Sequence, residues 1–319
     1  MRKFFFVLFL FVLFVSCVPE QSIRSFSVVT WNCYLFFDSR DDGNEYSGFK
    51  AKDGYNDAVY KKRIKDVAIM MSKNLGDADL IVLEEVESNV VLFDLLEAGL
   101  KKKGFLYYGI ASDGSSPLSV GFISKYCPDD ITLNKAGSTR LVLELSFELN
   151  GDMIAVIAIH ATSRLNGGES ERFEEFSLMR SIADENEGKV VLLCGDFNTD
   201  PRYSESGLAY IKDPISINAP LVVTGDPGEC SSGIYFSQAL DYMNDIGKGT
   251  YLYDGEWFFY DNIFLSKEAF DLIGWEYSTS NIIKPYESVD LNGNPLKFDP
   301  STSRGMSDHL PLKCTLLYN

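Results

Sequence analysis

The feature that most constrains the fold is a series of short apolar runs, each of which ends or begins at a small polar cluster. Runs of this length, rich in Val, Ile and Leu, are typical of buried strands. They are Ser25–Cys33, Asp79–Glu85, Ser119–Ser124, Leu141–Leu149, Met153–His160, Lys189–Asn198, Tyr260–Ser266 and Leu310–Tyr318. Helix-like segments separate several of them, so the pattern predicts an α/β fold with two packed sheets and outer helices.

Two segments place apolar residues at helical spacing. The first, Asn56–Asn74, opens at an asparagine that is a favourable helix cap. The second is Glu169–Asn186. We expect its inner face to consist of Phe173, Phe176, Leu178, Met179 and Ile182. Asn150-Gly151 between two strand-like runs predicts a β-hairpin, whereas residues 203–250 show little clear pattern. With 319 residues and 45% hydrophobic content, the chain suits one large domain, which we place at residues 25–319.

The polar clusters lie where the strand-like runs end or begin. This is where α/β proteins place working side chains, because rigid strands hold the adjoining loops in register. The clusters are Asn32, Glu84-Glu85, His160, Gly195-Asp196-Phe197-Asn198, Asp261 and Ser307-Asp308-His309. Each alone has an ordinary structural explanation, such as a turn, a cap or a solvated pair. Their order and shared position at strand ends favour a functional site.

The residue types fit phosphoester hydrolysis with a divalent metal. Glu85 and Asp308 are hard oxygen ligands suited to Mg²⁺ or Mn²⁺. Asp196 is suited to orient and deprotonate a water, and Asn198 to hold the phosphate or the nucleophile. His309 paired with Asp261 would carry a positive charge that stabilises the transition state.

The histidines add weight to this hypothesis. The whole chain contains only two, His160 and His309. A histidine on an apolar strand is more often a core residue. Both histidines nevertheless lie beside polar clusters at strand ends, which favours a role in the site.

The order of these motifs resembles the endonuclease/exonuclease/phosphatase superfamily, which has the deoxyribonuclease-I-like fold. The matching stretches are "VVTWN", "ADLIVLEEVES", "VGFISK", "IAVIAIHATS", "VVLLCGDFN", "GTYLYDGEWFFYDNIFLS" and "GMSDHLPL". The resemblance implies a four-layer α/β sandwich with two mainly antiparallel central sheets and outer helices. It spans residues 25 to about 317.

The resemblance also implies roles for individual residues. It assigns Asn32, Glu85 and Asp308 to the metal site, with Mg²⁺ or Mn²⁺ as cofactor. The residues that it makes catalytic are His160, Asp196, Asn198, Asp261 and His309. The sequence departs from the family pattern at Glu84, where Gln is usual, and at Cys33-Tyr34. Neither departure removes a catalytic group, so we expect an active enzyme.

The first sixteen residues are typical of an export signal. Arg2 and Lys3 precede an apolar run that ends at Ser16, and the run is shorter than the roughly 20 residues of a membrane span. Cys17 follows directly, as in a bacterial lipoprotein, where this cysteine is lipidated. We favour a signal peptide at 1–16 and an anchor at Cys17. Ordinary secretion is the alternative. The protein would then be exported, either attached to the cell envelope through its lipid or secreted.

The remaining cysteines number five and lack the short spacing of a zinc site. They are Cys33, Cys127, Cys194, Cys230 and Cys314. Cys194 lies in an apolar run and is expected in the core. A disulfide among the others is compatible with the sequence, which does not pair them.

The substrate is left open among phosphoesters. A net charge of −17 argues against loose coating of nucleic acid, but it leaves room for a local metal site. The first hypothesis is an exported nuclease or general phosphodiesterase, expected to be a monomer. A groove carrying Arg40, Lys50, Lys52, Arg140 or Arg164 would support it, and scattered solvated charges are the alternative explanation of these cations. The second is a phosphatase or phospholipase-type esterase for inositol phosphate or sphingomyelin-like head groups. In that case Trp257–Tyr260 could meet a membrane, although core packing beside Asp261 is the favoured explanation of these aromatic residues. The third is an inactive surface binding protein.

Overall fold

The computed structural model describes residues 22–135, 140–165, 168–203, 208–210, 219–245 and 247–319. The predicted signal peptide and Cys17 lie outside these residues. Three α-helices are present in the described part: α1 (Asp57–Asn74), α2 (Asn89–Ala98) and α3 (Glu169–Glu185). None of the described helices is both long enough and apolar enough to cross a membrane.

Two sheets form the centre of the molecule. The first sheet contains β1 (Ser25–Phe36), β2 (Leu80–Val86), β3 (Tyr107–Ala111), β4 (Ser119–Ser124), β15 (Trp275–Ile282) and β16 (Leu312–Tyr318). The second sheet contains β5 (Asp130–Lys135), β6 (Leu141–Leu149), β7 (Asp152–His160), β8 (Val190–Asp196), β9 (Leu208–Tyr210), β10 (Leu221–Thr224), β11 (Ile234–Phe236) and β14 (Asp261–Leu265). A separate hairpin is formed by β12 (Tyr251–Tyr253) and β13 (Glu256–Phe258).

Each sheet is mainly antiparallel with one parallel pair near its centre. The order of the first sheet is β15-β16-β1-β2-β4-β3, and that of the second is β5-β6-β7-β8-β14-β11-β10-β9. β1 and β2 are parallel in the first sheet, and β7 and β8 are parallel in the second. The only other parallel pairs among the described strands join β9, β10 and β11 at one edge.

Three buried apolar layers confirm the predicted four-layer sandwich. One layer packs α1 and α2 against the outer face of the first sheet. A second lies between the two sheets and contains Phe26, Phe147 and Trp275. The third packs α3 against the outer face of the second sheet. Because side chains alternate along a strand, every central strand contributes to two of these layers.

Local sequence signals place the elements as predicted. The Asn56 side chain accepts hydrogen bonds from the N–H groups of Ala58 and Val59 and caps α1. Asn150 and Gly151 both have positive φ, 57° and 87°, as a two-residue hairpin turn requires. Cys194 is fully buried between the sheets, as expected.

Three sequence predictions need correction or completion. Phe173 was expected on the inner face of α3, but it is 41% exposed, because the buried Arg172 and Glu175 take that face. Residues 203–250 contain the short strands β9, β10 and β11, which are too short to show periodicity. All five described cysteines are free, so no disulfide joins any of them.

Candidate active site

The predicted site residues converge at one end of the sandwich. Parallel strands β1 and β2 end there in the first sheet, and β7 and β8 end there in the second. β14 and β16 run antiparallel to β8 and β1, so the start of each lies at the same end. A cleft of about 560 Å³ opens at this end. The predicted residues that line it are Asn32, Glu85, His160, Asp196, Asn198, Asp308 and His309.

Asn32 connects the two sheets across the base of the cleft. Its Nδ2 donates to Glu85 Oε1 at 3.2 Å and to Asp196 Oδ2 at 3.0 Å. Its Oδ1 accepts from the Tyr34 N–H at 3.0 Å, which fixes the direction of the amide. One side chain of the first sheet therefore positions a carboxylate from each sheet.

The backbone turns Glu85 toward the cleft. Its φ is 62°, in the left-handed region, and its Oε2 accepts from the Leu35 N–H at 2.7 Å. The register of β1 and β2 shifts at this point. Oε1 is therefore the oxygen that Glu85 presents to the other site residues.

Glu84, the residue that departs from the family pattern, faces the space between the sheets. It is fully buried, and its Oε1 accepts from the Thr30 hydroxyl at 2.7 Å. Burial and the nearby Asp261 carboxylate raise its pKa well above the usual range, although Thr30 opposes the shift. The surroundings of Glu84 therefore favour the protonated, neutral form of its carboxyl group.

His309 and Asp261 form a buried ion pair. His309 Nδ1 lies 2.7 Å from Asp261 Oδ2, and the two side chains are 7% and 0% exposed. Burial lowers the pKa of His309, but Asp261, followed by Asp196 and Asp308, outweighs it and raises the pKa to about 10. The predicted imidazolium is therefore present at neutral pH, with Nε2 on the side of Asp196, 3.9 Å from its Oδ2.

Asp196 lies between the two histidines. Burial raises the pKa of its carboxyl to about 6, although the charge on His309 opposes this. Its Oδ1 accepts from the Asn198 N–H at 2.8 Å, and its Oδ2 lies 3.7 Å from His160 Nε2. A carboxylate with this pKa is suited to accept a proton from water near neutral pH.

His160 is electrically different from His309. Burial, together with the positive charges of Arg140 and His309, holds its pKa well below the usual range. The imidazole is therefore neutral at pH 7. Its Nε2 also lies 3.9 Å from Glu85 Oε1, so His160 is placed to donate or accept a hydrogen bond without adding charge.

Asn198 and Asp308 complete the predicted set. Asn198 has φ 49°, and its Nδ2 donates to the Ala161 carbonyl at 3.0 Å, which holds the loop after β8. Asp308 is 20% exposed and lies 3.5 Å from Lys297 Nζ. Asp308 is thus at the mouth of the cleft, whereas Asp261 lies behind His309.

The close approach of β8 to β7 next to Asp196 depends on a glycine. Gly195 has φ 130°, and a Cβ at this position would lie 1.9 Å from the Ile159 carbonyl oxygen. Only glycine allows β7 and β8 to approach this closely while Asp196 pairs with His160 in register.

Sequence reasoning did not identify several residues that hold the site together. Ser307 was noted only as part of its cluster, yet its hydroxyl donates to the Asn32 carbonyl at 2.6 Å and accepts from the His309 N–H. Asp200 and Arg202 form a buried ion pair of 2.8 Å just after Asn198. The sequence does show a carboxylate and a guanidinium two residues apart beside "GDFN", and this spacing could have indicated the pair.

The fold and these side chains define a class of proteins, the hydrolases with the deoxyribonuclease-I-like sandwich. A family model described as Endonuclease/Exonuclease/phosphatase family matches residues 27–317. The chain belongs to this family. Comparison with curated protein sequences gave no significant match.

Several solved structures share the fold. A crystal structure of D. rerio TDP2, humanized by 14 mutations, aligns with a TM-score of 0.58 and 15% identity over 92% of this chain and 98% of its own. The mannosyl-6-phosphatase of Bacteroides thetaiotaomicron aligns with a TM-score of 0.54 and 15% identity over 92% and 99% of the two chains. The human Nocturnin catalytic domain aligns with a TM-score of 0.54 and 14% identity over 94% and 96%.

Enzymes of this family are phosphoester hydrolases that use divalent metals. Two groups of side chains in this protein could act as metal ligands. Ligand atoms of Asp196, Asp261 and His309 all lie within 4.8 Å of one another. In this set, however, His309 is a charged imidazolium bonded to Asp261, and an imidazolium has no lone pair to offer a metal. Glu85 and Asp308 instead present carboxylate oxygens to the cleft, which fits a hard cation.

Proposed function

We propose that this protein is a divalent-metal-dependent phosphodiesterase, and that it is an exported nuclease. The observation that carries the proposal is the convergence of Glu85, Asp196 and the His309–Asp261 pair around one cleft. A divalent metal, Mg²⁺ or Mn²⁺, held by Glu85 and Asp308 would neutralise phosphate charge. Asn32 belongs to this metal site as the residue that positions Glu85.

The remaining groups supply the other parts of hydrolysis. Asp196 orients the attacking water and takes its proton, because its raised pKa is matched to that task. His309 holds a positive charge toward the developing anion, and Asp261 keeps that charge in place. His160 and Asn198 orient the phosphate oxygens by hydrogen bonds.

The nuclease form of the proposal is supported by the cations and rings in the cleft. Of the five cations proposed to bind nucleic acid, Arg140 and Arg164 line the cleft. Several tyrosines line it as well, and aromatic rings with basic side chains are a common way to bind single-stranded nucleic acid. A monomer attached to the cell envelope through Cys17 remains our proposal for location and assembly.

A phosphatase is the second candidate. The net charge of −17 repels long polyanions, and the cleft volume of about 560 Å³ suits a small ligand. The contribution of Phe259 to a membrane contact is not supported, because this side chain is only 2% exposed. The third candidate, an inactive binding protein, is opposed by the intact set of catalytic groups.

Hydrolysis of a diester and a monoester tests the proposal. We expect the wild-type protein to cleave bis-p-nitrophenyl phosphate faster than p-nitrophenyl phosphate with Mg²⁺ or Mn²⁺, and to stop in EDTA. His309→Ala and Asp196→Ala should each lower kcat by about 100-fold or more. Asp77→Ala is the control, since this aspartate is 72% exposed and does not line the cleft.

Each outcome of this experiment has a defined meaning. A rate that survives EDTA would contradict the metal dependence, and wild-type rates in His309→Ala would contradict the catalytic roles. Faster cleavage of the monoester would select the phosphatase. Digestion of single-stranded DNA or RNA by the same preparation would support the nuclease.

A further inference from the structure

A row of aromatic rings leads away from the catalytic histidine. The Tyr251 ring lies against His309 with centroids 4.5 Å apart. Tyr253 follows on the same face of β12, with ring centroids 6.3 Å apart and planes 12° from parallel. Both tyrosines line the cleft. The row therefore begins at the reacting centre and runs outward along one wall.

The row is held rigidly by its surroundings. Tyr260 stacks on Tyr251 at 5.3 Å with an 18° angle between planes. The Leu310 N–H donates to the Thr250 carbonyl at 2.7 Å, which ties the start of β12 to the segment that carries His309. Arg202 donates to the Trp257 carbonyl at 2.7 Å and so joins β13 to the loop after Asp196. The ring positions are thus fixed relative to the catalytic groups.

The outer ring presents more apolar surface than the fold requires. Tyr253 is 63% exposed, although large aromatic side chains stabilise a protein mainly through burial. Arg140 and Arg164 line the same cleft, and guanidinium groups bind phosphate oxygens. The combination of flat rings and guanidinium groups beside a hydrolytic centre fits a ligand with a planar ring attached to a phosphate.

We propose that Tyr251 and Tyr253 form a stacking subsite for a nucleobase whose nucleoside carries the scissile phosphate. The inference rests on the proposed phosphodiesterase function and names its substrate class as nucleotide esters. The base stacks along the tyrosine wall while its phosphate reaches Glu85, Asp196 and His309. Stacking does not distinguish one base from another, because every base has a π-face, so this subsite accepts all four.

A matched pair of esters tests the subsite. Thymidine 5′-(p-nitrophenyl phosphate) and its analogue with hydrogen in place of the base share the sugar, the phosphate and the leaving group. With Mg²⁺ present, we expect kcat/KM to be about 5- to 150-fold higher for the ester that carries the base, which is the range for stacking of one base. Tyr253→Ala should bring this ratio close to one, and Tyr253→Phe should preserve it.

Tyr286→Ala serves as the control, since Tyr286 is 85% exposed and does not line the cleft. It should leave the ratio and both rates unchanged. A wild-type ratio near one would overturn the proposal. Equal losses for both esters in Tyr253→Ala would also overturn it and would assign the tyrosine wall to the sugar.

Failure of the proposed function is separable from failure of the subsite. If the wild-type protein cleaved neither ester, the hydrolytic assignment would fail, and binding alone would then decide the subsite. The probe is thymidine 5′-monophosphate, with quenching of protein fluorescence as the signal. A Kd at least 5-fold weaker in Tyr253→Ala would support the subsite, and an unchanged Kd would overturn it.

Discussion

At the residue scale, the two histidines of the site have opposite charge states for physical reasons. Both are buried, which disfavours the charged form. His309 overcomes this because Asp261 lies 2.7 Å from its Nδ1, whereas the charges that act on His160 are positive ones from Arg140 and His309. One imidazole therefore holds a charge and the other provides a neutral hydrogen-bonding group.

Removal of the Asp261 charge should lower the pKa of His309. In the wild-type protein, NMR of ¹³C-labelled histidine should give a titration midpoint near 10 for His309. In Asp261→Asn, only Asp196 and Asp308 still oppose the effect of burial, so we expect the midpoint to fall well below 10. His160, the only other histidine, is the internal reference and should stay neutral in both proteins. An unchanged His309 midpoint in Asp261→Asn would contradict this account.

The same pair makes folding stability depend on pH. Because the pKa of His309 is raised above its unfolded value, its contribution is complete below about pH 6.5 and is lost as pH rises toward 10. Urea unfolding should therefore show that the stability difference between wild type and Asp261→Asn is largest near pH 6 and shrinks toward pH 10. A difference that grows with pH would contradict the ion pair.

The convergence of the candidate site residues was predictable from sequence, but their orientation was not. Strand ends and the family resemblance indicated all eight. Alternation along a strand implies that Glu84 and Glu85 face different ways. It did not predict which of them faces the cleft, because that depends on the left-handed φ of Glu85. The burial of Glu84 also depends on Thr30, a contact between residues far apart in the chain.

At the scale of elements, helix α1 fixes the backbone segment that hydrogen-bonds to Glu85. Arg63 on α1 is 1% exposed, and its guanidinium donates to the Cys33 and Leu35 carbonyls, both at 2.9 Å, and to the Tyr34 carbonyl. It also lies over the Phe36 and Phe298 rings. Tyr34 and Leu35 have positive φ. Arg63 thus fixes the backbone whose Leu35 N–H binds Glu85.

Loss of this support should weaken the metal site as well as the fold. We expect Arg63→Met to destabilise the protein by about 2–4 kcal/mol, since it leaves buried carbonyls without donors. It should also lower divalent metal affinity about 10- to 100-fold, the usual range for residues that orient ligands. Urea unfolding and Mn²⁺ titration measure the two effects. Lys65→Met, an exposed position on the same helix, should change neither. Wild-type Mn²⁺ affinity in Arg63→Met would contradict the positioning role.

The elements were predictable where a periodic apolar pattern extends over many residues. α1 and the β6–β7 hairpin agree with the sequence within a residue or so at each end. The inner face of α3 was predictable at Phe176, Met179 and Ile182, which are buried as expected. It was not predictable at Phe173, because Glu175 accepts from the Thr162 N–H at 2.8 Å and Arg172 donates to the Thr162 carbonyl at 3.1 Å. These contacts bury two charged residues that a hydrophobic pattern assigns to the surface.

At the scale of the whole molecule, we propose that the first seventeen residues determine location in the cell. Our proposal is that residues 1–16 are removed and that Cys17 carries a lipid. In a bacterial host that processes lipoproteins, we expect wild-type protein in the detergent phase of a Triton X-114 extract and Cys17→Ser in the aqueous phase. Cys127→Ser, at an exposed cysteine, should partition like wild type. Aqueous partitioning of the wild type would instead favour ordinary secretion.

The site is divided between two sheets that pack face to face. Asn32, Glu85 and His309 belong to segments of the first sheet, whereas His160 and Asp196 belong to the second. Phe26 and Phe147, whose rings are 5.4 Å apart between the sheets, help to set the alignment. A slip of about 1 Å is enough to cost a catalyst about 100-fold. Activity therefore reports the relative position of the two sheets. We expect moderate heating to abolish activity before the hydrogen bonds within each sheet are lost.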